Sequence, residues 1–535
     1  MPWYKNAVFY EIYLRAFYDS NGDGHGDLRG LMQKLDYLQE LGVDCLWLMP
    51  LYPSPLKDDG YDISDYCNIH PDYGTLDDFK ALIEAAHTRN LRLILDLVIN
   101  HTSDQHPWFQ AARERQDSRY RNYYVWSDDP EHYKQARIIF CDTETSNWAW
   151  DAQAGQYYWH RFYACQPDLN YDNPAVQAEI LDVMRFWLDL GVDGFRVDAV
   201  PYLFEREGTN CENLPETHAF LQKMRRFVDE HYPDRLLLCE ANQWPRDVRA
   251  YFGDENDKEF HMAFHFPLMP RLFMALAKAD YTPIRWALEQ TPSIPDDCQW
   301  CTFLRNHDEL TLEMVTPEER EWMWQTYAPK RRMRLNLGIR RRLAPLLSND
   351  RRKIELLNSL LFTLPGTPIL YYGDEIGMGD NLNLPDRNGL RTPMQWDATP
   401  QAGFSTAKRL YAPPITTPGY RPHEVNVAAQ MADPQSLWHT IQHMIRARKQ
   451  YLSLQCGTIR WLEYNDPSIA AFERACNGQK MLLIHNLSCE TRPCTLTITD
   501  SGQLTNVLTG QKFLNPLELQ KYSLAPWEYL WLLLS

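Results

Sequence analysis

The sequence lacks three features that would each indicate a different class of protein. It has no apolar run long enough to cross a bilayer, so we expect no membrane anchor. It has no excess of positive charge, because 54 Lys and Arg stand against 71 Asp and Glu for a formal net charge of −17. That balance disfavours nucleic acids and anionic membranes as partners. A neutral small molecule fits the composition better as a ligand.

The third missing feature is a disulfide framework. The twelve cysteines are scattered, and Cys45, Cys239 and Cys301 fall in apolar strand-like runs, so we expect buried thiols. The one close pair, Cys298 and Cys301, has no second pair or nearby histidine to complete a zinc site. The first residues, Met1 to Asn6, contain no apolar signal core. We therefore expect a cytoplasmic protein.

The sequence contains several apolar runs, each of which ends in a polar side chain that could take part in catalysis. Gly194 to Asp198 ends in a carboxylate and Leu236 to Glu240 in another. Leu93 to His101 ends in an amide and an imidazole, and Thr302 to Glu309 ends in a His-Asp pair. Polar groups at the carboxyl ends of many parallel strands are typical of a (β/α)₈ barrel. We predict an α/β fold of the TIM-barrel type.

The run that ends at Asp198 also carries a cation for its carboxylate. Arg196 and Asp198 are two residues apart, so on a strand both would point to the same face, where the guanidinium keeps the carboxylate ionised. Taken alone, the pair could equally be a buried structural ion pair. The polar endings of the other runs favour a catalytic role.

These segments together resemble the signature regions of the α-amylase superfamily of retaining enzymes that act on α-glucosides. The resemblance rests on Asp-x-x-x-x-Asn-His at 96–101, Gly-Phe-Arg-x-Asp at 194–198, the isolated Glu240 and Asn-His-Asp at 306–308, in that order. It implies Asp198 as nucleophile, Glu240 as acid/base and Asp308 as the third catalytic carboxylate. The substrate-binding residues that it implies are Tyr61, Asp62, His101, Arg196, His307 and Arg391. Within this set, Arg391 would pair with Asp62 around the terminal glucose.

The pattern along the chain divides it into a barrel with one insert and one appended domain. After His101 the pattern breaks into a stretch rich in Trp, Tyr, Asp and Pro that is too long for a simple loop. Short alternating apolar strands near the end predict an antiparallel β-sandwich. The predicted segments are 1–101 and 173–453 for the barrel, 102–172 for the inserted subdomain, about 309–353 for a lid-like insertion and 454–535 for the C-terminal β-sandwich.

The predicted lid contains two basic runs, Lys330 to Arg332 and Arg340 to Arg342. Runs of like charge usually form a solvated surface, and we prefer that interpretation to a binding site for a polyanion.

Two groups of oxygen-bearing residues are candidate Ca²⁺ sites. In the loop after the first strand, Asp19, Asn21, Asp23 and Asp27 could wrap one hard cation, with a metal-free turn as the alternative. The resemblance implies a second site at Asn100, Asp168, Tyr202, Leu203 and Glu205. There, Asn100 and Asp168 could instead be hydrogen-bonding braces. We expect one or two structural Ca²⁺ ions and no organic cofactor.

The segment from Pro201 to His218 is most similar to the branch of the superfamily that interconverts maltose and trehalose. The resemblance thus implies intramolecular transglucosylation by a retaining double displacement, with minor hydrolysis when water replaces the released glucose. The alternative is an α-glucosidase of the oligo-1,6-glucosidase type, which shares every catalytic residue, and a sucrose isomerase is more remote. A non-catalytic, partner-binding member would be expected to have lost carboxylates. A homo-oligomer is possible, and the sequence does not give the oligomeric state.

Overall fold

A closed barrel of eight parallel strands forms the centre of the computed structural model, which describes residues 2–494 and 502–534. In chain order the strands are β1 (Phe9–Ile12), β2 (Cys45–Leu48), β3 (Arg92–Val98), β4 (Gly194–Asp198), β5 (Leu236–Cys239), β6 (Met262–Phe264), β7 (Gln299–Phe303) and β8 (Thr367–Tyr371). Each strand pairs in parallel with the next, and β8 pairs with β1 to close the ring. The predicted (β/α)₈ barrel is confirmed.

Helices surround this barrel, because each buries one apolar face against the strands. Before β4, the helix Pro174–Asp189 begins with a side-chain cap, because Asn173 accepts a hydrogen bond from the backbone N–H of Ala175 at 3.0 Å. In residues 2–494 and 502–534, no helix is both long and apolar enough to cross a bilayer. The main barrel helices are Leu28–Gln33, Leu35–Leu41, Leu76–Thr88, Pro174–Asp189, Pro215–His231, Leu268–Lys278, Thr282–Glu289, Arg351–Thr363 and Leu437–Gln450.

The connection between β3 and the helix before β4 folds into a small unit of its own. It consists of the helix Pro107–Glu114 and a three-stranded antiparallel sheet in the order Trp126–Ser127, Gln156–Trp159 and Trp148–Asp151. Trp159 is buried and packs edge-on against Trp148, with ring centres 5.1 Å apart. A β-bridge from Asp168 to His101 attaches the unit to the loop that follows β3. The unit is therefore anchored beside the C-terminal end of the barrel.

The connection between β7 and β8 also extends over this end of the barrel. It contains the helix Pro317–Tyr327 and a short antiparallel hairpin of Arg334–Leu335 and Gly338–Ile339. Ile339 forms a β-bridge with Leu310, which lies in the loop after β7. The tip of the hairpin is thereby held near the strand ends.

The two basic runs of this connection differ in their surroundings. Arg331 and Arg332 are exposed, as expected for a solvated face. The same expectation is wrong for Arg342, which is buried and donates hydrogen bonds to the backbone carbonyls of Tyr372 at 2.7 Å and Leu390 at 3.0 Å. A guanidinium carries five donors in a fixed plane, so one arginine can satisfy carbonyls from separate loops. The second run therefore includes a structural tie to the segments after β8.

The described part of the C-terminal region forms two antiparallel sheets. The larger has the strand order Thr458–Trp461, Ile469–Cys476, Gln479–Asn486, Tyr529–Leu534, Leu504–Asn506 and Lys512–Phe513, and the smaller pairs Arg492–Pro493 with Ser523–Leu524. Leu482 and Ile484 of the larger sheet share a buried apolar cluster with Leu524 of the smaller. The two sheets pack as layers, which confirms the predicted antiparallel β-domain.

Candidate active site

Six of the residues singled out in the sequence, three of them carboxylates, line one cavity at the C-terminal end of the barrel. Asp198 is the last residue of β4, Glu240 directly follows β5, and His101 and Asp308 lie in the loops after β3 and β7. The cavity encloses about 910 Å³ of empty space, its mouth included. Several polar side chains thus converge on one concave space, as in a ligand-binding site.

Arg196 on β4 holds the carboxylates of this cavity from below. Its guanidinium contacts Asp96 and Glu240, each at 2.8 Å, and it also contacts Asp198. The backbone N–H of Ala199 donates to the second oxygen of Glu240 at 3.1 Å. Arg196 is itself buried and does not line the cavity. Its place in the structure is behind the carboxylates that face the ligand space.

The surroundings of Asp198 and Glu240 give the two carboxyl groups different proton affinities. Burial raises the pKa of Asp198 to about 6, although the Arg196 guanidinium opposes the shift. Burial raises the pKa of Glu240 further, to about 7, with the charges of Asp198 and Asp308 adding to the effect. Near neutral pH, Asp198 is mostly ionised while Glu240 retains a proton for part of the time. This division suits a nucleophile and a proton donor.

Asp308 is held by three positively charged partners. One of its oxygens accepts hydrogen bonds from Arg387 at 3.0 Å and Arg391 at 2.9 Å, and the other lies 3.2 Å from Nε2 of His307. Burial works against ionisation, but His307 and the two arginines hold the pKa of Asp308 well below its usual range. Asp308 is therefore a fixed anion on the cavity wall.

Aromatic and imidazole rings form the floor beside these carboxylates. The ring of Tyr61 lies on that of His307 with centres 5.3 Å apart and an angle of 15°, and the Tyr61 hydroxyl donates to Asp96 at 2.8 Å. His101 is bonded through Nε2 to the backbone carbonyl of Tyr61 at 3.1 Å. Burial lowers the pKa of His101 to about 4, so its ring is neutral and donates this hydrogen bond. Tyr61 and His101 line the cavity, whereas His307 supports Tyr61 from behind.

Asp62 does not have the position that the sequence predicted for it. It is fully buried, and it accepts hydrogen bonds from the Ser54 hydroxyl at 2.9 Å and from the backbone N–H groups of Lys57 and Asp58, each at 3.0 Å. All of these contacts lie within one turn after β2. Asp62 does not line the cavity, and its contacts are those of a residue that closes the turn.

The predicted pairing of Arg391 with Asp62 is therefore wrong. The Arg391 guanidinium contacts Asp59 at 2.9 Å in addition to Asp308, and its Nε donates to the backbone carbonyl of His307 at 3.1 Å. Like Asp62, Arg391 does not line the cavity. Its contacts position the loop that carries Asp308.

Asp58 and Arg387 form the pair that does line the cavity, and the sequence analysis missed both. Their side chains are 2.6 Å apart, and Arg387 also reaches Asp308 at 3.0 Å. Gln166, from the unit between β3 and β4, donates to the other oxygen of Asp58 at 2.9 Å. The available signal was the adjacent carboxylates of Asp58 and Asp59 before Gly60. Sequence alone does not say which of these carboxylates points inward.

The outer part of the cavity is lined by the unit after β3 and the hairpin connection after β7, together with residues that follow β4 and β5. Its lining there includes Phe140, Phe162, Tyr202, Asn242, Glu309, Glu313 and Asn336. Arg137 from the first of these segments contacts Glu313 from the second at 2.5 Å, and it also contacts Glu212 at 2.8 Å. A third contact, at 3.1 Å, joins Arg137 to the Tyr202 hydroxyl. Arg137 thus connects the unit after β3 with the segments that follow β4 and β7.

The loop after β1 has oxygen atoms in the predicted order, but they already have partners. Asp19 accepts hydrogen bonds from the backbone N–H groups of Gly22 at 2.7 Å and Gly24 at 2.8 Å. Asp27 accepts from Ser20 at 2.9 Å and from Gly30 at 2.7 Å, as the cap of a helix. The remaining predicted ligands bond to each other, with Nδ2 of Asn21 donating to Asp23 at 3.0 Å. The Ca²⁺ site in this loop stays a prediction.

The second candidate Ca²⁺ site differs, because it has buried oxygens without partners. One side-chain oxygen each of Asn100, Asp168 and Glu205 is buried with no hydrogen bond. Burial raises the pKa of Glu205 well above its ordinary value, and the neighbouring charge of Asp168 adds to the shift. Oxygen atoms left bare in this way are what a hard cation would satisfy. The residues present fit the ion, and Tyr202 and Leu203 lie shortly before Glu205 in the chain.

Comparison with known proteins agrees with this geometry. The model of the alpha amylase catalytic domain matches residues 11–457. The chain is 57% identical over 522 residues to the trehalose synthase/amylase TreS of Mycolicibacterium smegmatis, covering 95% of this chain and 88% of that one. It is 34% identical over 591 residues to an oligo-1,6-glucosidase of Parageobacillus thermoglucosidasius, covering 98% of each. The crystal structure of the trehalulose synthase MutB from Pseudomonas mesoacidophila MX-45 superposes with a TM-score of 0.81 at 30% identity, covering 100% of this chain and 99% of that one. The chain belongs to the α-amylase family.

Proposed function

We propose that the protein interconverts maltose and trehalose by intramolecular transglucosylation, with hydrolysis to glucose as a minor reaction. The observation that carries the proposal is the meeting of Asp198, Glu240 and Asp308 around one cavity. The name of the Mycolicibacterium smegmatis relative, at 57% identity along nearly the whole chain, supports the choice of substrate. A disaccharide is thus the expected partner.

The reaction would begin with attack by Asp198 on the anomeric carbon of the bound glucose. Glu240 would donate its proton to the leaving glycosidic oxygen, and a β-glucosyl ester would form on Asp198. Asp308 would stabilise the positive charge that develops on the sugar ring in the transition state. The same Glu240, now ionised, would then accept a proton from the incoming hydroxyl.

The fate of this ester depends on whether the released glucose leaves the cavity. If it stays and rotates, its anomeric hydroxyl attacks the ester and trehalose forms, whereas entry of water gives a second glucose. The contacts of Arg137 with Glu313 and Tyr202 join two loops that line the outer cavity, and they would favour retention of the released glucose. Such retention would make isomerisation the main reaction.

The alternative is an α-glucosidase of the oligo-1,6-glucosidase type, which would use the same carboxylates. The oligo-1,6-glucosidase of Parageobacillus thermoglucosidasius shares 34% of its residues with this chain, against 57% for TreS. An α-glucosidase passes every glucosyl ester to water, so the two proposals differ in their product and not in their first step.

We further propose a structural Ca²⁺ ion held by Asn100, Asp168 and Glu205, with the backbone carbonyls of Tyr202 and Leu203. The three bare, buried side-chain oxygens support this assignment. The ion would neutralise two buried carboxylates and join the unit after β3 to the loop after β4. It takes no part in the chemical steps.

A cytoplasmic location and self-association remain predictions.

The proposed function is tested by incubating the protein with maltose and following the products by NMR. Trehalose is expected to exceed glucose at early times, and free ¹³C-glucose added to the mixture should not enter the trehalose if the transfer is intramolecular. Glucose as the main early product would reject isomerisation in favour of the α-glucosidase. Label in the trehalose would mean that the acceptor exchanges with solvent.

A further inference from the structure

The floor of the site contains a carboxylate to which no role has been assigned so far. Glu11 lies on β1, and its side chain points into the barrel and is fully buried. One of its oxygens forms a short hydrogen bond with Nδ1 of His307. We infer that Glu11 is a positioning residue that keeps both ring nitrogens of His307 protonated, so that His307 meets Asp308 as a cation.

The geometry around His307 requires a proton on each nitrogen. Nδ1 faces Glu11, and Nε2 lies 3.2 Å from a carboxylate oxygen of Asp308 and 2.9 Å from the hydroxyl of Tyr61. An ionised carboxylate only accepts hydrogen bonds. The Tyr61 hydroxyl donates its own hydrogen to Asp96, so its oxygen also faces Nε2 as an acceptor. A neutral imidazole would leave one nitrogen lone pair directed at a carboxylate.

The charges on the surrounding strands and loops also favour the protonated form of His307. Asp96 on β3 is a third anion near the ring, while Arg391, from the segment after β8, reaches only the backbone carbonyl of His307. Burial favours the neutral ring, but Asp308 and Glu11 together raise the pKa of His307 to about 9. Trp47 on β2 presents only an aromatic edge contact, with ring centres 5.8 Å apart. The ring is thus enclosed by acceptors, and Glu11 is the one that no substrate would touch.

Glu11 depends on His307 in return. Its second oxygen is buried and has no hydrogen-bond partner, so the contact with His307 is where its charge is compensated. A buried carboxylate is stable only beside a cation or with a proton of its own. With a charged His307 between them, Glu11 and Asp308 can both stay ionised. The charges therefore alternate from the barrel interior to the cavity wall, with the His307 cation between the carboxylates of Glu11 and Asp308.

The consequence for catalysis is a fixed, ionised Asp308 over a wide range of pH. This inference rests on the proposed glucosyl transfer, because it assigns Asp308 to stabilising the transition state. Without Glu11, the pKa of His307 would fall, because one of the two anions that favour its charged form would be gone. Loss of the His307 proton at moderately alkaline pH would then release Asp308 from one of its three holders.

The test uses α-glucosyl fluoride, because fluoride leaves without a proton and the first step then no longer needs the acid form of Glu240. Fluoride release is measured against pH for the wild type, for Glu11→Gln and for the control Glu375→Gln. Glu375 is also a buried carboxylate with one unpartnered oxygen, but it is bonded to Tyr10 at 2.8 Å and to Tyr37 at 2.5 Å. The control therefore replaces a buried carboxyl group without touching His307.

On the alkaline side of the wild-type profile, kcat/KM for the fluoride is expected to fall only as the pH approaches about 9. In Glu11→Gln, this alkaline fall should move to lower pH by about one unit or more, and in Glu375→Gln it should stay in place. A Glu11→Gln profile that is merely lower at every pH would mean a structural role and overturn the inference. Equal shifts in both variants would overturn it as well.

A second measurement covers the case in which Glu11→Gln does not fold. The wild type is labelled with ¹⁵N-histidine, and the signal of His307 is identified by its loss in His307→Asn. Both ring nitrogens should show the protonated form near neutral pH, and a neutral ring there would overturn the inference. Fluoride release and this titration do not depend on trehalose being the product, so failure of the proposed isomerase would leave both readouts intact.

Discussion

Replacing Asp58 and Asp62 in turn separates the carboxylate that faces the ligand from the one that closes the turn. Asp58 lines the cavity and is paired with Arg387 at 2.6 Å, whereas Asp62 is fully buried and bonded within its own turn. We expect Asp58→Asn to weaken catalysis with little change in stability. Asp62→Asn should do the reverse. The two substitutions are chemically identical and lie four residues apart, so each is the control for the other.

The magnitudes follow from the contacts that are lost. An asparagine at 58 keeps the shape but loses a charged acceptor towards the sugar and towards Arg387, and a hydrogen bond to a charged group contributes about 1.5–3 kcal/mol. This corresponds to a fall of roughly 10- to 150-fold in kcat/KM for maltose. An asparagine at 62 has one acceptor oxygen where three donors now converge. It would leave buried donors facing each other, at a cost of about 1–3 kcal/mol in the free energy of unfolding.

Initial rates with maltose give kcat and KM, and urea unfolding followed by fluorescence gives the stability. Asp58→Asn is expected to act on kcat/KM with a urea midpoint close to that of the wild type. Asp62→Asn should unfold at lower urea and keep kcat/KM within a few-fold. The opposite pattern, with the catalytic loss at Asp62, would refute the assignment and restore Asp62 as the residue that contacts the sugar.

Four further results are expected. Asp198→Asn should lower turnover by at least about 10³-fold without changing the circular dichroism spectrum, because no other group is placed to attack, and appreciable residual turnover would point to another nucleophile. With maltose, kcat/KM should fall below pH about 6, where Asp198 gains a proton, and above pH about 7, where Glu240 loses its proton. A kcat/KM that does not change across both of these pH values would contradict the two roles. Added Ca²⁺ should stabilise the folded protein by about 2.7 kcal/mol when its free concentration is 100 times Kd, and should therefore raise the melting temperature. Asp168→Asn should remove this rise. An unchanged melting temperature in the wild type would exclude the site. Arg137→Ala should raise the ratio of glucose to trehalose by roughly fivefold, because it removes partly exposed ion pairs that contribute about 1 kcal/mol. An unchanged ratio would show that other contacts retain the released glucose.

The barrel and its catalytic carboxylates could be predicted because their signals are local. Each buried strand reads as an apolar run, and the residue at its carboxyl end is named by position alone. The strand ends placed Asp198 and Glu240 at one edge of the barrel, and the resemblance to the α-amylase superfamily supplied their expected roles. The side-chain alternation of β4 likewise placed Arg196 and Asp198 on one face, where the structure has them in contact.

The choice between Asp58 and Asp62 was beyond this kind of reasoning. Between them, Asp59 has a positive φ of 47° and Gly60 one of 108°, so the chain reverses direction and no simple period relates the side chains. Which carboxylate points into the cavity depends on Arg387, more than three hundred residues later in the chain. The pairing of Arg391 with Asp59 has the same origin.

The sequence by itself determined the eight-stranded fold, the three carboxylates at its carboxyl end and the order of the segments, because strand periodicity and strand ends are properties of neighbouring residues. The tertiary structure alone decided the burial of Arg342, the closing contacts of Arg137 and the meeting of Glu11 with His307. These contacts join residues that are distant in the chain. Their formation depends on how the loops pack over a closed barrel, which no local pattern encodes.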